Sequence, residues 1–388
     1  MVTLQTADNA LKSFYLDAVT ESLDMKANPL LAKIQKTSAN VVGKDVRKAV
    51  RLSVSGGVGA GTETGNLPQA GASEYVQFVS TLKNLYGTIE ISDKAIRASA
   101  NSEGAFVNLL NDEMQSLIKS ASFNFGRMLY GDGSGTIGEV LEVYGNSVKL
   151  SSVKGLVEGM KISFCDGAGE FYADASNRTV SAIDRKTKIV TFDGGEVNEA
   201  MLPIGSVAYL QDSYGNEITG LGAIFSSEAL YGVDRNHSVM KPYKVTSVGA
   251  IDENVIQKAL DTIEEYSGGK VNFIVCSWGV RRALAEYYKQ YKTMLPSMEI
   301  EGGFTAMSFN GIPIVADRFC PDGTMYLLNT DDFKIHQLCD WQWLEGEDGK
   351  ILKQIAGKPV YTATLVKYAE LICERPNGQG MLSGITEA

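Results

Sequence analysis

Apolar and polar residues alternate in two segments, 44–54 and 74–91, which flank a glycine-rich stretch. Valine, lysine and leucine share one face of the first segment, beginning at Val46, and arginines occupy the other face, beginning at Arg47. A period of two predicts β-strands, whose side chains point alternately to opposite faces. The stretch between the two segments, 55–73, reads SGGVGAGTETGNLPQAGAS. The pattern therefore predicts a long β-hairpin with a glycine-rich tip.

The clearest helical signal lies in the segment 102–131, where apolar residues recur at steps of three and four. These residues are Phe106, Leu109, Leu110, Met114, Leu117, Ile118, Ala121, Phe125, Met128 and Leu129. Asn101 or Ser102 can cap the start, and Gly131 follows the last turn. At 1.5 Å per residue such a helix is about 42 Å long, so the sequence predicts the spine of an elongated domain.

The segment 137–212 differs from its neighbours, because short strands alternate there with turn signals. The strands include Val148–Leu150, Met160–Phe164, Arg178–Ile183 and Ile189–Phe192. This spacing is typical of a small all-β unit, either a barrel or a sandwich. We therefore expect an inserted β domain in this segment.

Helices and strands are mixed in the remaining third of the chain. The pattern predicts a capped helix over Asp252–Tyr266, a buried strand at Val271–Cys276 and a second helix over Trp278–Tyr291. A long strand over Val360–Glu374 follows near the end. Together with the hairpin and the spine helix, these elements predict an α+β protein.

Composition and charge limit the classes of partner. The chain has 388 residues and a formal net charge of −10, which disfavours broad contact with DNA phosphates and leaves at most weak, non-specific contact. It contains no run of about 18 apolar residues, and its N-terminus lacks the pattern of a signal peptide, so no membrane segment is expected. Five widely spaced cysteines without a CxxC pair predict reduced thiols, and neither a disulfide framework nor a zinc site.

The glycine-rich stretch does not match a phosphate-binding loop. It contains no GxGxxG pattern, no Lys-Ser or Lys-Thr follows its glycines, and it leads into a predicted strand and not into a helix. The tract Gly131–Gly138 alternates oxygen-bearing side chains from Asp132 to Thr136, as calcium loops do. Val143 stands where such a loop needs a glutamate. Neither stretch predicts a cofactor or a metal.

Residues able to act in catalysis do not form a recognisable set. Ser151 and Lys154 fit the SxxK spacing, but the SDN and KTG motifs that accompany it in known enzymes are missing. The two histidines of the chain, His237 and His336, fall in a loop and on a strand and are interpreted as structural. We predict no catalytic residues, no cofactor and no metal, and therefore a protein that is not an enzyme.

Several phrases of the sequence resemble one branch of phage coat proteins. They are FNFGRMLYGDGSG, GLGAIF, LYGVDRN, FNGIPIVADRFCPDGTMYLLN and KPVYTATLVKYAELICERPNG. The order of parts (arm, glycine-tipped hairpin, spine helix, helix-flanked sheet) also resembles the major capsid protein of tailed bacteriophages, which has the Hong Kong 97-type fold. This resemblance covers most of the chain and implies an α+β fold with an inserted small all-β domain.

The resemblance also implies a division of the chain. The ranges are an N-terminal arm at 1–43, an extended hairpin loop at 44–91, a peripheral domain at 92–136 and 341–388 with its spine helix at 102–131, the inserted β domain at 137–212, a connection back to the peripheral domain at 213–250, and an axial domain at 251–340. The arm carries one helical pattern, Ala10–Met25.

The family's function would be that of a structural major capsid protein, which assembles as hexamers and pentamers into an icosahedral shell around packaged double-stranded DNA. A two-stranded hairpin is marginal alone in water, so a neighbouring subunit is the expected partner of its tip. The candidate contact residues are Gly56, Gly57, Gly59, Gly61 and Gly65. The resemblance further implies a location in the virion capsid, assembly in the bacterial host cytoplasm, a portal and a separate scaffolding protein as partners, and no membrane.

Some members of the family join a lysine of the extended loop covalently to an asparagine. The tip of the loop, 55–73, contains no lysine here, and the lysines around it are Lys44, Lys48 and Lys83. We therefore predict no such cross-link.

Two other functions stay open on the sequence alone. A cellular nanocompartment shell has the same fold as the capsid proteins. A hydrolase or a carbohydrate-binding protein, which belongs to a different class, would use the β segment 137–212 as its binding module. That alternative predicts a small stable oligomer with a ligand, whereas the capsid reading predicts curved shells without one.

Overall fold

The computed structural model describes residues 28–95, 103–226, 228–291, 297–300, 304–346 and 349–388. The predicted helix Ala10–Met25 and the first 27 residues of the arm lie outside this part of the chain. The described residues form four sheets, one of them a closed barrel, together with four α-helices.

The helices are α1 (Glu103–Met128), α2 (Leu221–Ile224), α3 (Glu253–Ser267) and α4 (Trp278–Tyr291). The strands are β1 (Gln35–Thr37), β2 (Val41–Val42), β3 (Asp45–Arg51), β4 (Tyr75–Thr81), β5 (Lys83–Ser92), β6 (Thr136–Tyr144), β7 (Ser147–Leu150), β8 (Lys161–Cys165), β9 (Arg178–Asp184), β10 (Ile189–Phe192), β11 (Val207–Leu210), β12 (Tyr243–Val245), β13 (Phe273–Cys276), β14 (Ser297–Ile300), β15 (Phe304–Phe309), β16 (Ile312–Ala316), β17 (Met325–Leu328), β18 (Phe333–Trp343), β19 (Lys353–Gln354), β20 (Val360–Cys373) and β21 (Gly380–Leu382).

The hairpin consists of β3 and β4, with β2 as a third strand beside β3. The prediction of one returning strand over 74–91 is wrong, because β4 ends at Thr81 and β5 then pairs with β20 in another sheet. The buried side chains change phase at this break, from even positions such as Phe78 and Leu82 to odd positions beginning at Leu85. The chain thus turns its apolar face from one sheet to the next.

β20 is the central strand of a five-stranded sheet. It pairs with β5 over 360–369 and with β18 over 365–373, while β1 lies parallel to β18 and β19 pairs near the start of β20. The 26-residue spine helix α1, about 39 Å long, packs on this sheet. A Cβ added at Gly87 of β5 would lie 2.9 Å from Leu117 Cδ1, so the glycine allows the helix to approach closely.

The segment predicted as all-β is a closed six-stranded barrel with the strand order β10-β7-β6-β11-β8-β9. Of the two arrangements that the sequence allows, a barrel and a sandwich, the structure contains the barrel. The barrel has its own apolar core, to which every strand contributes. Its first and last strands pair with each other, with Thr136 opposite Tyr209, so the chain enters and leaves the barrel at adjacent positions.

A seven-stranded mixed sheet has the order β12-β21-β17-β13-β16-β15-β14. Its core with α3 and α4 includes Ile263 and Leu284, and side chains such as Phe273 join the core that contains α1. The predicted cap of α3 is present, since the Asp252 carboxylate accepts a hydrogen bond from the N–H of Val255 (2.7 Å). This sheet supports the two amphipathic helices that the sequence predicted.

The strand boundaries differ from the ranges assigned by resemblance. The seven-stranded sheet includes β12 and β21, which lie outside the range 251–340. Conversely, β18 begins at Phe333, inside that range, but belongs to the five-stranded sheet. The physical reason is that a sheet is completed by hydrogen-bonding partners, which come here from distant parts of the chain.

Candidate subunit-contact hairpin

The base of the hairpin is buried. Val46 of β3 and Phe78 of β4 are each 1% exposed. The ring of Phe78 lies 5.4 Å from the ring of Tyr231, measured between centroids, and the N–H of Val79 donates to the carbonyl oxygen of Tyr231 (3.0 Å). Burial and aromatic contact of this kind hold the base against the body of the protein.

Tyr231 also joins the hairpin to β20. Its φ of +52° is unusual for a residue other than glycine. Its hydroxyl donates to Leu371 O (3.0 Å) and accepts from the N–H of Cys373 (3.0 Å), just beyond Ala369, where β20 stops pairing with β5. Burial raises the pKa of Tyr231 well above its ordinary value, so the hydroxyl keeps its proton. The side chain therefore completes the hydrogen bonding of a buried strand edge.

An ion-pair cluster provides a second attachment. Lys48 of β3 pairs with Glu374, which also pairs with Lys334 of β18 (3.0 Å). Burial by itself raises the pKa of Glu374, but hydrogen bonds from the two lysines outweigh burial and hold that pKa below its ordinary value. The carboxylate stays charged at neutral pH and links the hairpin to the sheet.

The outward face of the hairpin is exposed and carries cationic, aromatic and aliphatic side chains. Arg47 lies opposite Val79 and Arg51 lies opposite Tyr75, and all four side chains are exposed. Tyr75 alone exposes 64% of its surface. Two arginines beside an exposed tyrosine form a surface of the composition that protein interfaces favour.

Beyond the two strands lies the tip loop, residues 52–74, which is described throughout and contains no helix or strand. The hydroxyl of Ser55 donates to Gly71 O (2.7 Å) and closes the neck of the loop. A Cβ at Gly71 would lie 2.6 Å from the nitrogen of Gly56, so glycine is needed where the two arms meet. The sequence alone does not distinguish Gly71 from the other glycines of the loop, because the need for it arises from its approach to the other arm.

The five candidate glycines all lie on the tip loop, and none of them has a positive φ. Gly57 lies at the neck, where a Cβ would be 3.1 Å from Gly71 N. A Cβ at Gly65 would lie 2.6 Å from Thr62 Oγ1, within a local turn. Gly61 has no such constraint, since its nearest contact would be an ordinary one at 3.8 Å. Close approach within the loop thus accounts for Gly57 and Gly65 and does not account for Gly61.

Apolar side chains on the tip loop are strongly exposed. Val54, Val58 and Leu67 expose 75%, 90% and 89% of their surfaces. The loop carries two carboxylates, Glu63 and Glu74, and contains no lysine or arginine. Contacts within the described chain therefore do little to stabilise this segment.

The residues with a calcium-like or an SxxK-like spacing make local structural contacts. The Asp132 carboxylate accepts from the N–H of Ser134 (2.9 Å) and shapes the turn after α1. Lys154 pairs with Asp322 (2.5 Å) and donates to a backbone carbonyl, so it joins the barrel to the body of the protein. The hydroxyl of Ser151 accepts from a backbone N–H of β6.

The two histidines differ in their environments. His336 is fully buried, its Nδ1 lies 2.8 Å from Ala39 O, and burial lowers its pKa. His237 is exposed and precedes a short 3-10 turn. Within the described ranges, no group of three or more His, Cys, Asp or Glu side chains is arranged to hold a metal ion. Nor does any helix among them have the length and apolar character needed to cross a membrane.

A buried ion pair attaches the segment that leaves the barrel to the spine helix. Arg127 of α1 pairs with Glu217, and the two side chains are 8% and 2% exposed. Arg127 also donates twice to Asn124 Oδ1 (3.1 and 2.8 Å). A Cβ at Gly155, whose φ is +87°, would lie 2.1 Å from Arg127 Cδ, so only glycine allows this approach of barrel to helix.

No family model matches the chain, and no curated protein sequence matches it. Among solved structures, the capsid asymmetric unit of cyanophage A-1(L) aligns over 95% of this chain and 93% of that chain, with 11% identity and a TM-score of 0.57. The capsid of an empty GTA particle aligns over 92% and 90%, with 11% identity and a TM-score of 0.49. An encapsulin complex from Synechococcus elongatus aligns over 92% and 86%, with 7% identity and a TM-score of 0.43.

The alignment with the cyanophage capsid covers nearly the whole of both chains, and the fold assignment rests on it. The chain has the fold of a phage capsid protein. The α+β, Hong Kong 97-type fold that the resemblance implied is confirmed, and the barrel is its inserted all-β domain.

Proposed function

We propose that this protein is the major capsid protein of a tailed bacteriophage, and that its copies assemble into an icosahedral shell around packaged double-stranded DNA. One observation carries the proposal. The hairpin is firmly attached at its base, whereas its tip loop exposes apolar side chains such as Val58 to solvent. On a capsid fold, such a projection has a clear use as a contact with the next subunit.

The contact between copies is head-to-tail. The hairpin of one subunit lies against a different surface of its neighbour, and such heterologous contacts close into rings of five and six. Many modest contacts of this kind stabilise a shell through multivalency. Gly56, Gly57, Gly59, Gly61 and Gly65 belong to this contact, where they let the tip loop adapt to the neighbouring subunit. The protein acts as a building unit and performs no catalysis.

The same proposal defines partners and location. Shell assembly takes place in the cytoplasm of the bacterial host, with a separate scaffolding protein and a portal, and the mature protein resides in the virion. Contact with the packaged DNA is weak and non-specific, since the chain carries a net charge of −10.

Electron microscopy and light scattering of the purified full chain test the proposal, both alone and after co-expression with a candidate scaffolding protein. Closed polyhedral particles, or rings of five and six subunits, are the expected result. A monomer or dimer under every condition would overturn the proposal. Shells of uniform size from this chain alone would contradict the requirement for a scaffolding protein.

A second measurement separates the phage from a cellular compartment. Particles purified from lysed host cells should contain double-stranded DNA that resists added nuclease. Particles that contain a protein cargo and no DNA would instead assign the chain to nanocompartment shells.

We also predict that the mature shell contains no covalent links between subunits. Lys48 pairs with Glu374 and the Nζ of Lys83 donates to Gly215 O (2.9 Å), so two of the three lysines around the tip have partners within the subunit. Boiled, reduced shells should run as a single band on a denaturing gel. A ladder of multiples that survives boiling would contradict this prediction.

A further inference from the structure

β5 has one unpaired edge. It pairs with β20 through residues 83–92 and with no other strand among the described residues. In an antiparallel strand, alternate residues direct their N–H and C=O groups away from the partner strand. The free edge of β5 therefore offers a row of backbone donors and acceptors, which is a template for one more strand.

A groove runs along this edge. Its volume is about 530 Å³, and residues 84–88 of β5 line it. Leu117 and Ala121 of α1 provide apolar surface on one side, and Met160 and Leu210 of the barrel provide it on the other. An extended segment in this groove could pair with β5 while its side chains contact both walls.

The rim of the groove is polar and includes charges of both signs. Lys161, Asp212 and Glu217 line it, and Lys83 lies next to it at the start of β5. The occupant is therefore selected by backbone pairing and side-chain size, and not by net charge.

We infer that this groove receives the first arm of the tip loop, residues 55–61, from a second copy of this chain, as an added strand on β5. This inference rests on the proposed shell function and names the surface that receives the hairpin. It also gives the inserted barrel a role, because the barrel forms one wall of the groove.

The composition of the first arm fits the groove. Its sequence is SGGVGAG, whose small residues allow one backbone to come close to another. The backbone groups of 56–61 make no hydrogen bond within the described chain, so they are free to pair. Val58, 90% exposed, supplies one apolar side chain on the face of the sheet that carries Asn84, Tyr86 and Thr88. The second arm contains Pro68, which has no N–H to donate, so the first arm is the better strand.

The geometry also favours a contact between two copies over a contact of the tip loop with the groove of its own subunit. The groove and the tip loop lie on different parts of one chain, and in the structure the loop does not line the groove. A contact between them across two copies is heterologous and leaves a free groove at one end and a free loop at the other. Repetition of this contact builds a ring.

Cysteine cross-linking of the full chain tests the inference. The variant Val58→Cys/Tyr86→Cys is made in a Cys339→Ser background, since the other four cysteines are buried. Two further variants place the second cysteine at Asn84 or Thr88 to allow for the register. Paired strands hold opposite Cα atoms about 4.5–5.5 Å apart, within reach of a disulfide. Mild oxidation should therefore give dimers and higher multiples on a non-reducing gel for at least one variant.

The matched control is Val58→Cys/Tyr144→Cys, because Tyr144 lies on the barrel with an exposure of 49%, similar to the 59% of Tyr86. Electron microscopy of the same samples distinguishes a failure of the groove contact from a failure of the proposed function. Shells or rings without cross-links above the control level would overturn the proposed contact at the groove and leave the proposed function in place. An absence of both assemblies and cross-links would overturn both.

A second variant tests the close approach of the two backbones. Gly61→Val fits the isolated subunit, since a Cβ there meets nothing closer than 3.8 Å and the φ is not positive. We expect unchanged thermal unfolding of the subunit and loss of the cross-linked multiples. Gly195→Val, at an exposed barrel glycine with open space around it, is the control. Equal cross-linking by both variants would overturn the inference.

Discussion

The barrel and the hairpin are both built of β-strands, but they are stabilised in different ways. The barrel closes on itself, so its strands have no free edges, and it has its own apolar core. The hairpin has no core of its own, since its buried residues Val46 and Phe78 belong to the core around α1. Its tip loop exposes Val58 and Leu67 almost completely.

This difference shows which part of the molecule is complete within one subunit. A closed sheet satisfies its hydrogen bonds and buries its apolar face without help. An open hairpin with an exposed tip leaves both needs unmet beyond its base. The barrel is therefore a structural unit of the subunit, and under the proposed function the hairpin is a unit of the assembly. Substitutions in the two regions should affect different measurements.

The largest effect is expected at the ion pair between the spine helix and the segment that leaves the barrel. Arg127→Met leaves the carboxylate of Glu217 buried without its partner, which should lower the free energy of unfolding by about 3–5 kcal/mol. Denaturant unfolding of the subunit measures this loss. The control is Lys149→Met, which breaks the half-exposed pair with Glu142 and should cost at most about 1 kcal/mol. Similar losses in both variants would show that the buried Arg127–Glu217 pair stabilises the subunit no more than the half-exposed Lys149–Glu142 pair does.

The pH dependence of the unfolding free energy should show the titration of Glu370. Its carboxyl group accepts a hydrogen bond from the N–H of Thr219, in the segment that leaves the barrel (2.7 Å). Burial raises the pKa of Glu370 from 4.5 to about 7. Because the folded-state pKa is raised, protonation stabilises the fold below pH 4.5, and this contribution is lost as the pH rises through about 7. The loss amounts to roughly 3 kcal/mol.

Glu370→Gln removes this titration. The unfolding free energy of the variant, relative to that of the natural protein, should therefore rise by roughly 3 kcal/mol between pH 4.5 and pH 8. Denaturant unfolding at a series of pH values measures the difference. A difference that stays constant with pH would show that the carboxyl does not titrate in this range.

At the hairpin base, Tyr231→Phe removes the hydroxyl that bonds to Leu371 O and to the N–H of Cys373. Two buried backbone groups lose a partner, so the unfolding free energy should fall by about 1–3 kcal/mol. Tyr75→Phe, on the exposed face, should change it by no more than about 0.5 kcal/mol. If the two variants were equally stable, the hydroxyl of Tyr231 would have no part in anchoring the hairpin.

The smallest effect on the subunit, and a large effect on assembly, is expected at the tip. Val58→Ser should change the unfolding free energy by no more than about 0.5 kcal/mol, yet reduce the yield of shells or rings in light scattering. Leu150→Ala, in the barrel core, should instead cost about 2–5 kcal/mol of subunit stability. The comparison fails if Val58→Ser destabilises the subunit or assembles normally.

Local patterns in the sequence predicted much of the fold. The apolar spacing of α1, the cap at Asp252 and the short strands of the barrel are properties of neighbouring residues, and the structure contains all three. The break at Leu82 also has a local signal, because the buried apolar residues shift from even to odd positions there. The β-pattern continues on both sides of the break, so the segment looks like one strand. Such phase changes are a usable signal of a strand that passes between sheets.

Other features could not be predicted from local patterns, because they depend on residues far apart in the chain. Arg127 and Glu217 are separated by 90 positions, and Tyr231 meets Leu371 across 140. A tyrosine with a positive φ carries no sequence signal of its own. The five glycines were predicted as a contact site, but the need for Gly71 at the neck depends on the path of the other arm.

The pairing of the first and last barrel strands has a consequence for how this gene can change. Because Thr136 lies opposite Tyr209, the two ends of the barrel are only about 5 Å apart, and a short turn could span them. At the far end of β6, the turn at Gly145 and Asn146 lies about 27 Å along the strand from that junction. The chain therefore enters and leaves the barrel at one narrow junction, and a peptide inserted at the turn of Gly145 and Asn146 would lie far from that junction.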